Sequence, residues 1–217
     1  MDTNFKGKAP KTKKQIIEMG KRLWQKDFVA ANDGNISVKL KDNAIYATAT
    51  GISKGFMNSE MILQLDLDGN LLDPNPKYKP TSEIKMHLEV YKSRPDVKAI
   101  VHAHPPFSTA FAVAGIPLDK NILPESIISL GEVPIADYGA PSTNRVVDSI
   151  LPLIKDKDAL LLANHGALTL GENLQSAYFR METLEHTAKI LHKAQLLGNI
   201  NTLTSSQIKE IKDLYKK

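Results

Sequence analysis

The middle of the chain carries the stretch Ala99-Ile100-Val101-His102-Ala103-His104-Pro105-Pro106. Its apolar, β-branched beginning and its two terminal prolines predict a short buried strand. Alternate residues of a strand point to the same face, about 6.6 Å apart along the chain. The two imidazoles are therefore expected to lean to one side, where both can bind a single metal ion.

A third histidine follows another apolar run, in Leu161-Leu162-Ala163-Asn164-His165-Gly166. A lone histidine at a strand end is more often a hydrogen-bonded core residue than a metal ligand. The His-x-His spacing and the second strand end favour the metal interpretation. Three histidines with an open position are typical of catalytic zinc sites, whereas structural zinc sites are closed and rich in cysteine. We therefore expect His102, His104 and His165 to bind one metal ion.

The composition narrows the class of protein. The chain has 217 residues, of which 42% are hydrophobic and 24% charged, and it contains no cysteine. Disulfides and zinc–thiolate sites are thereby excluded, and histidine and carboxylate remain as metal ligands. No apolar run approaches the roughly 20 residues of a membrane span, and the polar N-terminus has no secretory h-region. These features predict one domain, residues 1–217, in a cytoplasmic enzyme with no membrane partner.

The net charge of +4 comes partly from lysines near the N-terminus. No arginine or aromatic side chains are interleaved with these lysines, so a nucleic-acid partner is not expected. Residues 1–11 are predicted to form a flexible, solvated basic arm.

Hydrophobic periodicity predicts helices alternating with β-hairpins. Thr12-Lys13-Lys14-Gln15 matches a capping box, so a first helix is expected from about residue 12 to about 28. Leu63, Leu65 and Leu67 alternate towards an Asp-Gly turn at 68–69, and residues 159–163 are expected to pair with 167–170. Further helices are predicted at 107–114, around 146–151, at 174–197 and after Thr204. The pattern indicates an α/β protein with a largely antiparallel sheet.

Small polar residues and glycines cluster at the ends of these elements, at Gly34-Asn35, Thr50-Gly51 and Thr81-Ser82-Glu83. Glycine lets backbone N–H groups approach an anion closely, and hydroxyl groups add donors. Ser82 also lies at a helix start, where free N–H groups and the helix dipole favour phosphate. Each cluster alone also occurs as an ordinary turn or helix N-cap.

Taken together, these motifs identify a family resemblance. The chain resembles the class II aldolase/adducin family, and within it the fuculose-phosphate aldolases, over about residues 12–215. The motifs that carry the resemblance are Gly34-Asn35-Ile36-Ser37, Thr50-Gly51, Ser82-Glu83, Arg94-Pro95-Asp96, Val101-His102-Ala103-His104 and Asn164-His165-Gly166. The resemblance implies a three-layer α/β/α domain with a central, mostly antiparallel sheet. It also implies a homotetramer with active sites between subunits.

The resemblance also implies residue roles and a reaction. One Zn2+ per subunit would be bound by His102, His104 and His165. Glu83 would approach the metal as a further ligand and act as general acid/base. The substrate phosphate would be held by Gly34, Asn35, Thr50, Gly51, Thr81 and Ser82. The implied reaction is the cleavage of a ketose 1-phosphate, similar to L-fuculose 1-phosphate, into dihydroxyacetone phosphate and an aldehyde. No Schiff-base lysine is required, so Lys54 and Lys85 need no catalytic role.

Two positions depart from the fuculose-phosphate aldolase pattern. Glu125 stands near the place where those enzymes carry a tyrosine from a neighbouring subunit. A glutamate there resembles methylthioribulose-1-phosphate dehydratase, in which a carboxylate serves as acid/base, so a role in protonating the leaving oxygen is implied. The alternative is that Glu125 is only a polar residue at a helix start. The family's C-terminal aromatic lid is loosely matched by Tyr215, two residues from the end.

Three other functions occur among proteins of the class II aldolase/adducin family. An epimerase of the L-ribulose-5-phosphate 4-epimerase type would use the same metal, but such enzymes typically carry aspartate at the position of Glu83. A methylthioribulose-1-phosphate dehydratase is supported by Glu125. An adducin-like, non-enzymatic module would lack the three histidines that this chain contains.

Overall fold

A seven-stranded mixed sheet lies at the centre of the protein. The computed structural model describes residues 9–41, 43–72 and 77–215. The strands are β1 (Asn35–Lys39), β2 (Ala44–Thr48), β3 (Ile62–Asp66), β4 (Ala99–Ala103), β5 (Ile135–Ala136), β6 (Ala159–Leu162) and β7 (Gly166–Gly171). Their order across the sheet is β3-β2-β1-β4-β7-β6-β5.

All neighbouring strands in the sheet are antiparallel except β5 and β6, which are parallel. The predicted hairpin between β6 and β7 is confirmed by the pairing of Leu162 with Gly166. The Asp-Gly turn after β3 is confirmed as well, because Leu65 forms an antiparallel bridge with Leu71. The sheet is therefore mostly antiparallel, as the sequence predicts.

Helices cover both sides of this sheet, which confirms the three-layer α/β/α class. They are α1 (Ala9–Gln25), α2 (Ile84–Ser93), α3 (Pro106–Ala114), α4 (Pro124–Ser129), α5 (Asn144–Ile150), α6 (Leu174–Leu197) and α7 (Ser205–Leu214). Helix α1 packs against β1 and β2, while α3 and α6 pack against β6 and β7. In the part of the chain that is described, no helix is long and apolar enough to cross a membrane.

The central strands β4, β6 and β7 are buried along their whole length. Layers of helices on both sides of a sheet remove both of its faces from water, which explains why these strands are nearly continuous apolar runs. The polar side chains His102 and Thr169 are nevertheless fully buried in β4 and β7. Burial of a polar group is costly unless it is hydrogen-bonded, so the two positions have specific partners.

Helix α1 differs from its prediction. It begins at Ala9 and ends at Gln25, so the capping box proposed at 12–15 is wrong and the expected end at 28 is three residues too late. Pro10 is tolerated in the first turn because its missing N–H has no partner in the helix there. Of the arm predicted at 1–11, residues 1–8 lie outside the described residues, and 9–11 are helical rather than flexible.

The remaining helix predictions are close to the structure. Helix α6 has the predicted bounds of 174–197. The capping box at the start of α7 is confirmed, since Gln207 N–H donates to Thr204 Oγ1 and the Thr204 N–H donates to Gln207 Oε1.

Candidate metal and anion site

Three histidines meet at the ends of interior strands of the sheet. His102 lies in β4 and is fully buried, His104 follows the strand end, and His165 lies in the turn between β6 and β7. Because β4 pairs with β7, this turn lies beside the end of β4. Their ligand nitrogens all lie within 4.8 Å of one another, so the three side chains could hold a metal ion.

The hydrogen bonds of the imidazoles orient their nitrogens towards a common centre. His102 Nδ1 lies 2.9 Å from the carbonyl oxygen of Ala167. A carbonyl only accepts, so Nδ1 carries the proton and Nε2 presents its lone pair to the cluster. The Nε2 atoms of His102 and His104 are 3.2 Å apart. Two nitrogens bound tetrahedrally to zinc at about 2.05 Å would be about 3.3 Å apart, so the spacing suits such an ion.

Glu83 lies at the N-cap position of α2, but its side chain makes no capping hydrogen bond. The carboxylate instead faces the histidines, with Oε2 3.2 Å from His102 Nε2 and Oε1 3.4 Å from His165 Nε2. The amide of Asn35 donates a 2.9 Å hydrogen bond to Oε2. The structure thus brings Glu83 to the metal cluster.

In the metal-free site the electrostatics favour an ionised Glu83 and neutral His104 and His165, while the Glu83 carboxylate outweighs burial and raises the pKa of His102 above its ordinary value. Burial alone would raise the pKa of Glu83, but the positive charge and hydrogen bond of His102, with contributions from His165 and Asn35, hold it well below its usual range. Burial, followed by the charge of His102, lowers the pKa of His165 to about 4. Burial likewise lowers the pKa of His104. Neutral imidazole is the form that binds metals.

Two buried oxygen atoms in the site have no hydrogen-bond partner among the described residues, namely Asn35 Oδ1 and Glu83 Oε1. Nearly all buried polar atoms in native proteins are satisfied, so such oxygens indicate a group that completes the site. A cation or a hydroxyl donor would satisfy them. The donor set of three imidazoles and one carboxylate suits zinc, and imidazole also binds other first-row metal ions.

The predicted anion-binding residues converge on the same end of the sheet. Asn35 is the register partner of His102 across β1 and β4. The Thr50 N–H donates to the carbonyl oxygen of Lys79, and the Thr81 N–H donates to the carbonyl oxygen of Thr48. These bonds place the segment that ends β2 beside the segment that begins α2.

The two glycines of these segments have distinct structural roles. Gly34 has φ +71°, and a Cβ there would lie 2.8 Å from the carbonyl oxygen of His102, so the turn requires glycine. Gly51 has φ +70° and is exposed, and a Cβ would meet nothing within 4 Å. Ser82 is exposed while Thr81 is buried. The open side of this region is therefore formed by Thr50, Gly51 and Ser82.

Glu125 and Tyr215 are not brought to the histidine cluster within the chain. Glu125 lies in the first turn of α4, and Tyr215 is the C-cap residue of α7. Both line a surface groove that also contains Ile128 and Phe179. None of the three histidines lines this groove.

Several polar neighbours of the site were not predicted as site residues. Asp33 Oδ2 lies 3.4 Å from His104 Nδ1, opposite the metal-facing nitrogen. Ser37 Oγ lies 2.7 Å from both His87 Nδ1 and the Tyr91 hydroxyl, in a fully buried network. Glu83, His87 and Tyr91 are spaced four residues apart, which places them on one face of a helix. That spacing is the signal in the sequence that could have revealed the network.

The fold and the site together define a class of protein: an α/β/α domain in which histidines at the ends of interior strands could hold a metal ion beside a carboxylate. The family described as Class II Aldolase and Adducin N-terminal domain matches residues 14–192. The chain belongs to this family. Class II aldolases are metal-dependent lyases that act on sugar phosphates.

Two named relatives differ in their reactions. The chain is 38% identical over 182 residues to an L-fuculose phosphate aldolase of Methanococcus vannielii, covering 82% of this chain and 94% of that protein. It is 32% identical over 206 residues to a 3-oxo-tetronate 4-phosphate decarboxylase of Escherichia coli, covering 92% and 94%. A solved structure of an L-fuculose 1-phosphate aldolase superposes with a TM-score of 0.86 at 29% identity, covering 94% of this chain and 96% of that one.

Proposed function

We propose that this protein is a zinc-dependent aldolase that cleaves a ketose 1-phosphate, similar to L-fuculose 1-phosphate, into dihydroxyacetone phosphate and an aldehyde. The observation that carries the proposal is the position of the Glu83 carboxylate, 3.2 Å from His102 Nε2 and 3.4 Å from His165 Nε2. A base beside a metal cluster suits proton transfer at a carbon next to a metal-polarised carbonyl.

The metal ligands in this proposal are His102, His104 and His165, with Glu83 as the fourth, displaceable group. A zinc ion bound there supplies Lewis-acid polarisation of the substrate's carbonyl and hydroxyl oxygens. The proton on His102 Nδ1 is held by Ala167, and Asp33 lies beside His104 Nδ1. Such outer partners fix the ring orientation and raise the basicity of the ligating nitrogen.

Glu83 is the group that moves the proton at C3. In the condensation direction its ionised carboxylate removes a proton from C3 of dihydroxyacetone phosphate. In the cleavage direction the C4 hydroxyl gives up its proton as the aldehyde carbonyl forms, and the C3–C4 electron pair stays on C3. The carboxyl group of Glu83 then delivers a proton to C3, so that the net change is the transfer of one proton from O4 to C3. Asn35 holds Oε2 through its amide, which leaves Oε1 without a hydrogen-bond partner among the described atoms.

The phosphate end of the substrate is assigned to the polar clusters that converge beside β1, β2 and α2. Thr50, Gly51 and Ser82 are exposed; Thr50 and Ser82 offer hydroxyl donors, and Gly51 offers its N–H. Helix α2, with ten residues, begins immediately afterwards, so its dipole favours an anion there. Asn35 and Thr81 are buried and support these turns, as does Gly34 behind His102.

We further propose that the chain forms a homotetramer of one-domain subunits with active sites at the subunit interfaces. Glu125 and Tyr215 would then serve the histidine cluster of a neighbouring subunit, Glu125 as acid/base and Tyr215 as part of an aromatic lid. In support, Tyr215 and Phe179 are exposed aromatic side chains in the same groove. Contiguous exposed apolar side chains commonly mark an interface.

The second candidate is decarboxylation of a 3-oxo acid phosphate. The observation that favours it is the 32% identity to a 3-oxo-tetronate 4-phosphate decarboxylase over 92% of the chain. Metal-assisted decarboxylation and retro-aldol cleavage both leave an electron pair next to a carbonyl, so one site can serve either reaction. The substrate therefore distinguishes the two functions.

A coupled assay for dihydroxyacetone phosphate tests the proposal. L-fuculose 1-phosphate, D-ribulose 1-phosphate and 5-deoxyribulose 1-phosphate are compared with and without a chelator, followed by addition of zinc. We expect triose phosphate release that the chelator abolishes and zinc restores. Release of carbon dioxide from 3-oxo-tetronate 4-phosphate, with no triose phosphate from any ketose phosphate, would replace the aldolase proposal with the decarboxylase. Sedimentation velocity tests the tetramer separately.

A further inference from the structure

Lys54 is a buried cation that the proposed reaction does not use. Its side chain is only 2% exposed, within a short 3-10 turn that spans Lys54–Phe56 after β2. The ammonium group donates hydrogen bonds to the carbonyl oxygens of Asn32, at 2.8 Å, and Ile52, at 2.7 Å. A buried charge is costly unless it is paired or solvated by polar groups, so a lysine at this position has a specific task.

Two glycines allow the turn that carries Lys54 to approach α1 closely. A Cβ on Gly55 would lie 2.5 Å from the ring of Trp24, and a Cβ on Gly20 would lie 3.0 Å from the carbonyl oxygen of Lys54. The turn is therefore packed tightly against α1, which carries Gly20 and Trp24. The hydrogen bonds to Asn32 and Ile52 hold the ammonium group in place.

The two acceptor carbonyls belong to the two glycine turns that begin the anion region. Asn32 precedes Gly34 by two residues, and Ile52 follows Gly51 directly. A single ammonium group thus connects the turn that precedes β1 with the turn that follows β2. The spacing of the two turns is set by this connection.

The charge of Lys54 has no carboxylate within ion-pair distance among the described residues. Asp33 and Glu83 lie close enough to raise its pKa, and His102 is near enough to be affected by Lys54. Burial dominates, however, and lowers the pKa to about 8. The two acceptors within hydrogen-bond distance are neutral carbonyl oxygens, so no counter-charge contacts the ammonium group directly.

We propose that Lys54 is a positioning residue for the anionic end of the substrate: it holds the two glycine turns in register and supplies a fixed positive charge beneath them that favours a phosphate monoester. This inference rests on the proposed function, because it assumes that a phosphate occupies the region of Thr50, Gly51 and Ser82. The phosphate would contact the turns, and Lys54 would act through them. An entirely structural lysine would hold the turns without preferring a charged ligand.

Two substitutions separate these roles. Lys54→Gln retains two N–H donors for the carbonyl oxygens but removes the charge, and Lys54→Met removes both. Lys98→Gln is the matched control, because Lys98 is exposed and also donates to a backbone carbonyl, that of Pro95. Each metal-loaded variant is titrated with inorganic phosphate by calorimetry, and KM and kcat are measured with the phosphorylated substrate. Lys54→Arg tests rescue by another cation.

We expect Lys54→Gln to weaken phosphate binding about tenfold or more, because a buried positive charge near the anion is lost. KM should rise by a similar factor while kcat changes less, Lys54→Arg should recover part of the affinity, and Lys98→Gln should match the unmodified protein. If Lys54→Gln binds phosphate with an affinity within twofold of the unmodified protein, the inferred role of Lys54 is wrong, whereas the proposed function is unaffected. Failure of the unmodified protein to bind phosphate would contradict the proposed function itself.

Should these variants not fold, the unmodified protein provides the test. Lysine labelled with 13C at Cε gives one resonance for each side chain, and the buried Lys54 ammonium is distinguished by slow exchange with solvent. Addition of inorganic phosphate should shift this resonance, whereas sodium chloride at equal ionic strength should not. An unchanged resonance at saturating phosphate would overturn the inference.

Discussion

Asn35 and His102 are register partners across β1 and β4, and their side chains meet at one atom, Glu83 Oε2, at 2.9 and 3.2 Å. Strands β1 and β4 and the N-cap position of α2 therefore determine where the Glu83 carboxylate lies. The position is rigid because each of the three residues is at least partly buried in a different element. Preorganisation of this kind is what proton transfer at carbon requires.

The first prediction concerns Glu83 itself. Glu83→Gln preserves the shape and the contact with Asn35 but removes the base, so kcat should fall by about 10²- to 10⁴-fold, the usual contribution of a general acid/base. At saturating zinc the metal content should stay the same, because the three histidine ligands remain. The measurement is steady-state cleavage together with metal analysis of the same preparation. Activity within fivefold of the unmodified enzyme would show that another group moves the proton.

The second prediction concerns the metal. His104 is partly exposed, and its removal should leave the folded core intact. His104→Ala should weaken zinc binding by at least about 100-fold, since even outer partners of metal ligands contribute 10- to 100-fold. Zinc affinity is measured by competition with a chromophoric chelator. His186→Ala, at an exposed position of α6, is the control and should bind zinc normally.

The histidine cluster was predictable because strand periodicity and an apolar run locate His102 and His104 on one side of a strand end. The place of Glu83 was predicted only through the family resemblance, since its contact with Asn35 joins residues 48 positions apart. The buried network of Ser37, His87 and Tyr91 likewise depends on the packing of α2 against the sheet. The four-residue spacing of His87 and Tyr91 indicates only a shared helix face, whereas their common partner Ser37, 50 and 54 positions away, has no local signature.

Helix starts were predicted less well than strand ends. The capping box at Thr12 has the right residue types, but the helix extends further towards the N-terminus because Pro10 is compatible with a first turn. The sequence places the start of α2 at Ser82, but the helix begins at Ile84 and its N-cap residue is Glu83, whose carboxylate faces the histidines. The contact of Glu83 with the histidines replaces the capping hydrogen bond that a residue at this position commonly makes.

The third prediction is about the helix that follows His104. Glu185 is buried in α6 and accepts hydrogen bonds from the N–H groups of Phe107 and Ser108 and from Ser108 Oγ, at 2.8–2.9 Å. It thereby caps the N-terminus of α3 and interacts favourably with its dipole. Glu185→Ala should lower the free energy of unfolding by about 2–4 kcal/mol, because it leaves one buried and one partly buried N–H group without their acceptor.

Urea denaturation of the metal-free protein measures this effect. Ser108→Ala is the matched control: it removes one of the three hydrogen bonds and should cost about 1 kcal/mol. Equal destabilisation by the two substitutions would show that Glu185 does not act as the helix cap.

The fourth prediction tests the shared hydroxyl of Ser37. Its Oγ serves both His87 Nδ1 and the hydroxyl of Tyr91 at 2.7 Å. Ser37→Ala leaves both buried groups without this partner and should lower the free energy of unfolding by about 2–4 kcal/mol. Tyr91→Phe keeps the bond between Ser37 and His87, so about 1 kcal/mol is expected.

Thermal and urea unfolding of Ser37→Ala, Tyr91→Phe and the double variant form a double-mutant cycle. The double variant should be no less stable than Ser37→Ala alone, since the Tyr91→Phe substitution removes the hydroxyl that the serine variant leaves unsatisfied. Strict additivity of the two effects would mean that the hydroxyl network is not coupled.

The fifth prediction is the pH dependence that His87 gives to stability. Burial, followed by the charge of His102, lowers the pKa of His87 to about 3, while an unfolded histidine titrates near 6.5. Between these values the unfolded chain binds one more proton than the folded chain, so stability falls as the pH is lowered from about 6.5 towards 3. The slope from this group is about 1.4 kcal/mol per pH unit.

His87→Gln removes the titrating group and retains an acceptor for Ser37, so the stability of this variant should decline less steeply over that range. Urea unfolding of metal-free protein at several pH values measures both slopes, with His186→Gln at an exposed position as control. Parallel curves for the unmodified protein and His87→Gln would show that acid destabilisation arises from other groups.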